Sequence, residues 1–298
     1  GQRRSPGRAN PRVSERVGEA AHRTPDGSGG GGLRLSCCVL ACNEERGNRR
    51  CLESGSCADE CVGVIESRSS AATAALAREV GARVNEHPYQ GKIEQKSFAL
   101  TQAKGEWILS LDADAAITEP LASEIRSLLA APPPDLNGCE INRVTYHLGR
   151  WIRHGDFYPD WQLRLFRRGA GEWAGVNPHG RIQLRGAVRR LAGECEHRSY
   201  RDLADQVDRI QDFSRIQARA QHAEGRPVRI RDMILRPPAR FLRAYLLKQG
   251  FRDGVPGLVI ATATAFHVFL KYAKQWELER VQPREDTARN AGKARRAS

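Results

Sequence analysis

Short apolar runs alternate with longer amphipathic stretches over the first 130 residues. The apolar runs have the length and composition of buried strands, and they lie at 33–41, 61–65, 82–84 and 107–111. The stretches between and after them have the apolar spacing of helices. One of these predicted helices ends near residue 52, and the others lie at 73–80, 93–103 and 120–130. This alternation predicts an α/β fold with a mostly parallel sheet and helices on both faces.

The pattern changes after Pro132-Pro133-Pro134. Residues 139–200 have a more irregular pattern, with aromatic side chains, histidines and short apolar runs such as Leu163-Arg164-Leu165-Phe166. From Tyr200 onward apolar residues recur at helical spacing, with a predicted stop at Pro237-Pro238. The most apolar stretch, 255–270, is short for a membrane span, so it fits an interfacial helix or a helix packed on the rest of the protein equally well.

Polar residues follow three of the predicted strands directly. Asn43, Glu66 and Asp112 stand at the carboxyl ends of their strands, which is the edge where parallel α/β sheets bind ligands. Asp112 and Asp114 form a D-x-D pair after a buried strand. Because buried carboxylates are costly without a cationic partner, and Mg²⁺ or Mn²⁺ shares oxygen ligands with phosphates, this pair predicts a metal-assisted diphosphate site.

The charge of the 298-residue chain is +13, and its distribution is uneven. Residues 33–200 carry 22 basic and 21 acidic side chains, whereas residues 201–280 carry 15 and 9. Residues 1–32 and 281–298 are basic tails, the first rich in glycine, and both are predicted to be disordered. Since the longest segment is nearly neutral, the charge argues against a nucleic-acid partner and favours contact between the C-terminal third and an anionic membrane.

The eight cysteines form no C-x-x-C pair, and several stand inside apolar strand-like runs. Buried, reduced cysteines are therefore expected instead of disulfides or a zinc site. No secretory leader or 18-residue apolar run is visible. These features together predict a cytoplasmic protein.

The motifs of residues 33–280 resemble glycosyltransferase family 2, and more narrowly the bacterial lipopolysaccharide-core glycosyltransferases of the WaaE/KdtX type. The resemblance implies a GT-A (Rossmann-like) catalytic domain over 33–200 and a helical, membrane-associating extension over 201–280. The motifs that carry it are Asn43-Glu44-Glu45, Cys51-Leu52-Glu53-Ser54, Gly91 to Leu100, Leu109 to Asp114, Gly149 to Gly155, Tyr158 to Arg168 and Phe269 to Lys274.

The resemblance implies an inverting transfer of a sugar from a UDP- or ADP-sugar to a lipopolysaccharide-core or other lipid-linked acceptor, at the inner face of the cytoplasmic membrane. Asp160 matches the general base, and Asp112 and Asp114 match the motif that binds Mg²⁺ or Mn²⁺ and the diphosphate. The resemblance assigns the donor nucleotide to Asn43, Glu44, Glu45, Glu66, Lys96, Asp112, Gln162, Arg164 and Arg167.

Structural roles compete with several of these assignments. Without the resemblance, Asp160 would be taken as a residue that caps the turn after Pro159, and the arginines of 164–168 as a solvated face. The remaining candidates are acceptor or sugar contacts, with structural histidines and core tryptophans as the alternative; they are Trp151, His154, Trp161 and His179.

Several positions depart from the family pattern. Glu66, Arg68 and Ala71 stand where the family has aspartate, glycine and aspartate, and Gly180 follows His179 where a glutamate is expected. These changes motivate an alternative hypothesis: a degenerate family member that binds nucleotide-sugars or partners without transfer.

Overall fold

The computed structural model describes residues 34–41, 45–66, 71–176 and 179–281. Within them lie a nine-stranded sheet and a separate two-stranded ribbon. The strands are β1 (Leu35–Ala41), β2 (Glu60–Glu66), β3 (Arg83–His87), β4 (Trp107–Asp112), β5 (Ala115–Ile117), β6 (Leu136–His147), β7 (Arg150–Ile152), β8 (Asp160–Arg167), β9 (Gly171–Val176), β10 (His179–Leu184) and β11 (Ala187–His197). The α-helices are α1 (Glu45–Ser54), α2 (Ala71–Glu79), α3 (Lys92–Gln102), α4 (Glu119–Ala130), α5 (Leu203–Ala223), α6 (Ile230–Leu242) and α7 (Gly254–Arg280).

The strand order of the sheet is β3-β2-β1-β4-β8-β6-β11-β5, with β7 paired to β6. The first four strands are parallel, β8 runs antiparallel between β4 and β6, and β11 runs parallel to β6. The predicted α/β class with a mostly parallel sheet is confirmed. Because β8 is antiparallel, its first residue lies at the same edge of the sheet as the carboxyl ends of β1 and β4.

Two apolar layers cover the sheet. On one face α1, α2 and α4 pack on the central strands, with Leu121 and Ile125 of α4 fully buried. On the other face α3 packs on β1 and β2, and the ribbon of β9 and β10 packs against α3 and β8, with Ile108 and Phe166 buried in the same layer. Burial on both faces explains why β4 is a continuous apolar run instead of an alternating one.

Two predictions about the second half of the chain are wrong. Residues 139–200 are not irregular: they hold most of β6 and all of β7 to β11, whose pairing joins distant segments and is weakly marked in any local pattern. The helix predicted to stop at Pro237-Pro238 continues through both prolines to Leu242. Packing of α6 along α7 outweighs the hydrogen bonds that two prolines remove.

The three C-terminal helices form a layer in which α7 packs against both α5 and α6. A π-helical turn (Arg243–Leu247) and a 3-10 turn (Gly250–Asp253) connect α6 to α7. The connection is tight: a Cβ on Gly257 would lie 1.8 Å from the carbonyl oxygen of Gly250. Only glycine permits this approach, so the start of α7 is fixed against the turn before it.

The seven cysteines that the structure describes form no disulfide. Five of them are buried and two are half-buried, while Cys42 lies outside the described residues. Burial raises the pKa of Cys195 to about 11. Thiols in such surroundings act as small apolar side chains.

Candidate active site

Charged side chains from four strands and one helix meet at the carboxyl edge of the parallel strands. Asp112 ends β4, Asp160 begins β8, and Arg143 of β6 lies in register beside Asp160. His197 ends β11, where it pairs with Ala115 of β5. The antiparallel insertion of β8 therefore brings residues that are far apart in sequence to one edge.

The carboxylate of Asp112 accepts hydrogen bonds from three cationic groups. Lys96 Nζ lies 2.5 Å from one oxygen, while Arg164 Nη2 and Arg143 Nη1 lie 2.7 Å and 3.2 Å from the other. Burial alone would raise the pKa of Asp112, but the positive charges of Arg164, Lys96 and Arg143 hold it well below its usual range. Asp112 therefore stays ionised and fixes the positions of three cations.

Lys96 and Arg164 also share an aromatic support. Lys96 Nζ lies 4.2 Å from the ring centroid of Trp173, and the guanidinium carbon of Arg164 lies 5.4 Å from it. The pKa of Lys96 is lowered by burial, against the opposing attraction of Asp112. Trp173 is buried in the apolar layer beside α3, and its ring stabilises the two cations through cation–π contacts.

The carboxylate of Asp114 has different surroundings. One of its oxygens lies 3.4 Å from His197 Nε2, and the other is buried without a hydrogen-bond partner among the described residues. Burial would raise the pKa of Asp114, but its hydrogen bond and charge interaction with His197 lower it. A buried, ionised oxygen without a donor requires a further partner.

The donor set fits a divalent metal at Asp114 better than at Asp112. No group of three His, Cys, Asp or Glu side chains suited to a metal occurs within the described ranges. Mg²⁺ is commonly held by one or two carboxylates together with substrate phosphates, which requires no such group. Asp114 has an unpartnered oxygen for this role, whereas three cations already surround Asp112.

The carboxylate of Asp160 lies next to this cluster. One oxygen accepts from Arg143 Nε at 2.9 Å and Nη2 at 2.7 Å, and the other accepts from Gln162 Nε2 at 2.6 Å. Its backbone N–H donates to Asn142 Oδ1. Arg143 therefore bridges Asp112 and Asp160. Burial alone would lower the pKa of Arg143, but the negative charges of these two carboxylates outweigh burial and raise it.

Four further residues that were predicted for the site lie in the same cluster as Asp112 and Asp160, whereas Arg167 lies elsewhere. Lys96, Asp114, Gln162 and Arg164 belong to the cluster. Arg167 lies at the far end of β8, where it donates to the carbonyl of Leu136, pairs with Glu106 and stacks on Trp107. Three residues along an extended strand move a side chain about 10 Å, so Arg167 is away from the cluster.

The described aromatic and histidine candidates, Trp151, His154 and Trp161, make their contacts outside the charged cluster. Trp161 carries the guanidinium of Arg190, and Trp151 packs edge-on against Tyr146. His154 Nδ1 lies 3.2 Å from Asp253 of the C-terminal layer. Asn43, Glu44 and Arg68 fall outside the described residues, and so do the side chains of Glu45, Glu66, Ala71 and His179.

The sequence reasoning missed Arg143 and His197. Arg143 is one of four half-buried positions of β6, and an arginine beside buried apolar residues usually has a carboxylate partner. The sequence therefore indicated a partner for Arg143, but only the register of β6 and β8 identifies it as Asp160. His197 carried no comparable signal, because only the pairing of β11 with β5 brings it to Asp114.

The sequence of the chain matches a known family and several known glycosyltransferases. The model of the family "Glycosyl transferase family 2" matches residues 36–192. The chain is 29% identical over 264 residues to the lipopolysaccharide core biosynthesis glycosyltransferase LpsC of Rhizobium meliloti, covering 85% of this chain and 95% of that protein. It is 25% identical over 261 residues to the uncharacterized glycosyltransferase RT0209 of Rickettsia typhi, covering 82% and 87%.

Solved structures are more distant. The mannosyltransferase PcManGT of Pyrobaculum calidifontis, in complex with GDP-Man and Mn²⁺, matches with a TM-score of 0.49 and 16% identity, covering 82% of this chain and 87% of that chain. Glucosyl-3-phosphoglycerate synthase of Mycobacterium tuberculosis, with Mg²⁺ and UDP, matches with a TM-score of 0.31 and 20% identity, covering 38% and 44%. The strand order and the family match define the fold.

Proposed function

Because the chain belongs to glycosyl transferase family 2, we propose that it is a metal-assisted, inverting glycosyltransferase that uses a nucleotide-sugar donor. The observation that carries the proposal is the position of Asp160 beside the Asp112 cluster, with Arg143 bonded to both carboxylates. A base for the acceptor and cations for the leaving diphosphate thus lie at one edge of the sheet.

The donor diphosphate is assigned to the cations around Asp112. Lys96, Arg143 and Arg164 carry three positive charges against the two carboxylates that they contact, Asp112 and Asp160, so one positive charge remains for phosphate oxygens. Arginine forms the stronger contacts here, because its planar guanidinium matches two oxygens at once. The uridine or adenine base is assigned to the ends of β1 and β2, as predicted from Asn43 and Glu66.

The metal is assigned to Asp114, with His197 beside it. Mg²⁺ or Mn²⁺ bound there would neutralise charge on the leaving diphosphate. The chain's own contribution is to keep an ionised, unpartnered carboxylate oxygen at the edge of the sheet. Asp112 contributes through the cations that it holds.

Asp160 is assigned as the general base. Both of its oxygens accept hydrogen bonds, yet a carboxylate offers about four acceptor positions, so capacity remains for an acceptor hydroxyl. The acceptor oxygen would lose its proton to Asp160 and bond to the anomeric carbon while the bond to the diphosphate breaks. A single displacement of this kind inverts the anomeric carbon, and it requires no second carboxylate as nucleophile.

The acceptor is proposed to be a lipopolysaccharide-core or other lipid-linked sugar at the cytoplasmic face of the membrane. The support is the likeness to LpsC, which extends over nearly the whole length of that protein. The transferred sugar is proposed to be a hexose or a heptose. A few contacts of the donor pocket would decide between these two sugars.

The test is a transfer assay with UDP-, ADP- and GDP-sugars in the presence of Mg²⁺, Mn²⁺ or EDTA, with the anomeric product identified by NMR. We expect inverted product with metal, a rate in EDTA near background, and loss of turnover in Asp114→Asn. Asp135→Asn, a change of an exposed carboxylate outside the cluster, serves as the matched control. Nucleotide binding without transfer of any sugar would support the degenerate binding protein instead.

A further inference from the structure

The C-terminal layer leaves large apolar side chains uncovered. Leu247 is 80% exposed and Val255 71% exposed, one on each side of the turn between α6 and α7. Helical spacing places further exposed apolar residues on the same sides of these helices. We call this surface the apolar face, and its main residues are Ile234, Leu235, Leu242, Leu247, Val255 and Leu258.

Basic residues are interleaved with the apolar face. Residues 229–252 hold seven basic side chains and one acidic side chain, Asp232, which pairs with Arg236. Arg231 and Arg243 are exposed, and neither forms an ion pair within the described ranges. Apolar and unpaired basic side chains on one helical surface are the composition of helices that lie in the interface of an anionic bilayer.

Residues Gly250–Arg280 are long and apolar enough to cross a membrane by length and composition, and 22% of their most apolar window is buried. The contacts of α7 argue against crossing. Its His267 lies 3.3 Å from Gln217 of α5, and Lys274 donates to Gln211 and Ser214 of the same helix. Because α5 carries charged residues along its length, a helix bound to it lengthwise must stay at the water boundary.

We propose that the apolar face docks flat on the surface of an anionic phospholipid bilayer, with α6, the turn and the first half of α7 in the interface and α5 on the water side. The partner is a lipid surface, because the basic residues are spread along the helices and match an extended negative surface better than a single anion. The proposal rests on the proposed function, since a lipid-linked acceptor would be reached from such a surface.

Two buried carboxylates join this surface to the segment before Asp160. Asp156 pairs with Arg240 and Lys248, and Asp253 accepts from the backbone N–H groups of Arg153 and His154. The segment 153–159 is therefore fixed to the turn between α6 and α7. Docking would hold the base of the reaction at a constant height above the lipid headgroups.

The test is co-sedimentation of the full chain with vesicles of phosphatidylcholine alone or mixed with phosphatidylglycerol, at low and high salt. The variant L247E/V255E places charges on the apolar face, with L203E/V188E as the matched control at exposed apolar residues elsewhere. The variant R231Q/R243Q removes unpaired charges, with R181Q/R185Q as its control at exposed arginines near β10.

We expect binding to the mixed vesicles that weakens at high salt. L247E/V255E should lower the affinity for these vesicles at least about tenfold, since burial of two apolar side chains is lost. R231Q/R243Q should lower it about thirtyfold, since each of the two arginines contributes about 1 kcal/mol near an anionic surface. The control pairs should bind as the parent does. Recovery of the parent in the supernatant with both vesicle types would overturn the proposal, and so would equal losses in the controls.

Self-association is the competing use of the same face. If a second copy of the chain covers the apolar face, light scattering without lipid would show a dimer, and the L247E/V255E variant would be monomeric. That result would also overturn the proposal. None of these measurements needs a donor or an acceptor. Failure to bind vesicles is therefore distinguishable from failure of the transfer assay, which tests the proposed function with a water-soluble acceptor sugar.

Discussion

The edge of the sheet and the C-terminal layer both hold groups of basic side chains, but they hold them in opposite ways. At the edge, Lys96, Arg143 and Arg164 converge on one carboxylate and lie mostly out of solvent. In the layer, Arg231 and Arg243 are exposed among apolar side chains. Converging, fixed cations suit a small anion in a defined pose, whereas dispersed cations suit a surface that has no fixed positions of its own.

The two regions also differ in what their side chains do for stability. Leu109 of β4 is completely buried in the apolar layer between the sheet and helices α1, α2 and α4, while Leu247 projects into solvent. Folding alone explains the first, and it leaves the second without a reason. Residues that hold the fold thus differ from residues that face a partner, and substitutions in the two regions should have very different effects.

The largest effect is expected at the edge of the sheet, in the variant Asp160→Asn. The amide cannot take a proton from the acceptor hydroxyl, so kcat should fall by about a thousandfold, which is within the usual contribution of a general base. The KM for the donor should change much less than kcat, because Arg143 is the only one of the three cations assigned to the diphosphate that has a described contact with Asp160. Initial-rate kinetics measure both, and a loss of less than about tenfold would exclude Asp160 as the base.

The next effect concerns the core beneath that edge. Leu109→Ala removes a side chain that is 0% exposed, and neighbouring strands β1 and β8 hold its cavity open. The free energy of unfolding should fall by about 4 kcal/mol, near the upper part of the range for leucine-to-alanine changes in cores. Urea unfolding monitored by tryptophan fluorescence measures it. A cost under about 1 kcal/mol would mean that this site collapses freely.

A third effect tests the junction between the two regions. Asp253 is 1% exposed, and its carboxylate accepts from two backbone N–H groups and lies near His154 and Arg150. Asp253→Ala leaves those donors without a partner, so the free energy of unfolding should fall by about 3 kcal/mol. Asp208→Ala, at an exposed carboxylate of α5, is the control and should change little. Equal effects of the two changes would contradict a structural junction.

The sequence predicted one half of the fold and of the candidate site well. Strands β1, β2 and β4 were marked by apolar runs, and helices α1 to α4 by stretches of helical spacing that end near a glycine or proline. Strand β3 was indicated only by the short segment 82–84, because its own residues are mostly polar. Asp112 was found for the same reason, because it directly follows the most strongly marked strand. Its three cationic partners were not deduced, since a D-x-D motif indicates a cation without saying whether metal or side chain supplies it.

The other half depends on pairing between distant segments. Strands β6, β8 and β11 are joined across 17 or more residues, and no local pattern records which strand lies beside which. Arg143 and His197 enter the site only through that pairing. Arg167 was assigned to the site from its spacing in a motif, but the direction of β8 carries it to the opposite end of the strand.

The smallest effect is expected where the comparison began, at the exposed leucine of the C-terminal layer. Leu247→Ala is the same chemical change as Leu109→Ala, yet it should alter the free energy of unfolding by less than about 0.5 kcal/mol, because an 80% exposed side chain loses little contact when it is shortened. The same urea titration measures both variants. A cost of about 2 kcal/mol would show that Leu247 is covered in the free protein. The apolar face would then be part of the folded core, and it would not be open to a bilayer.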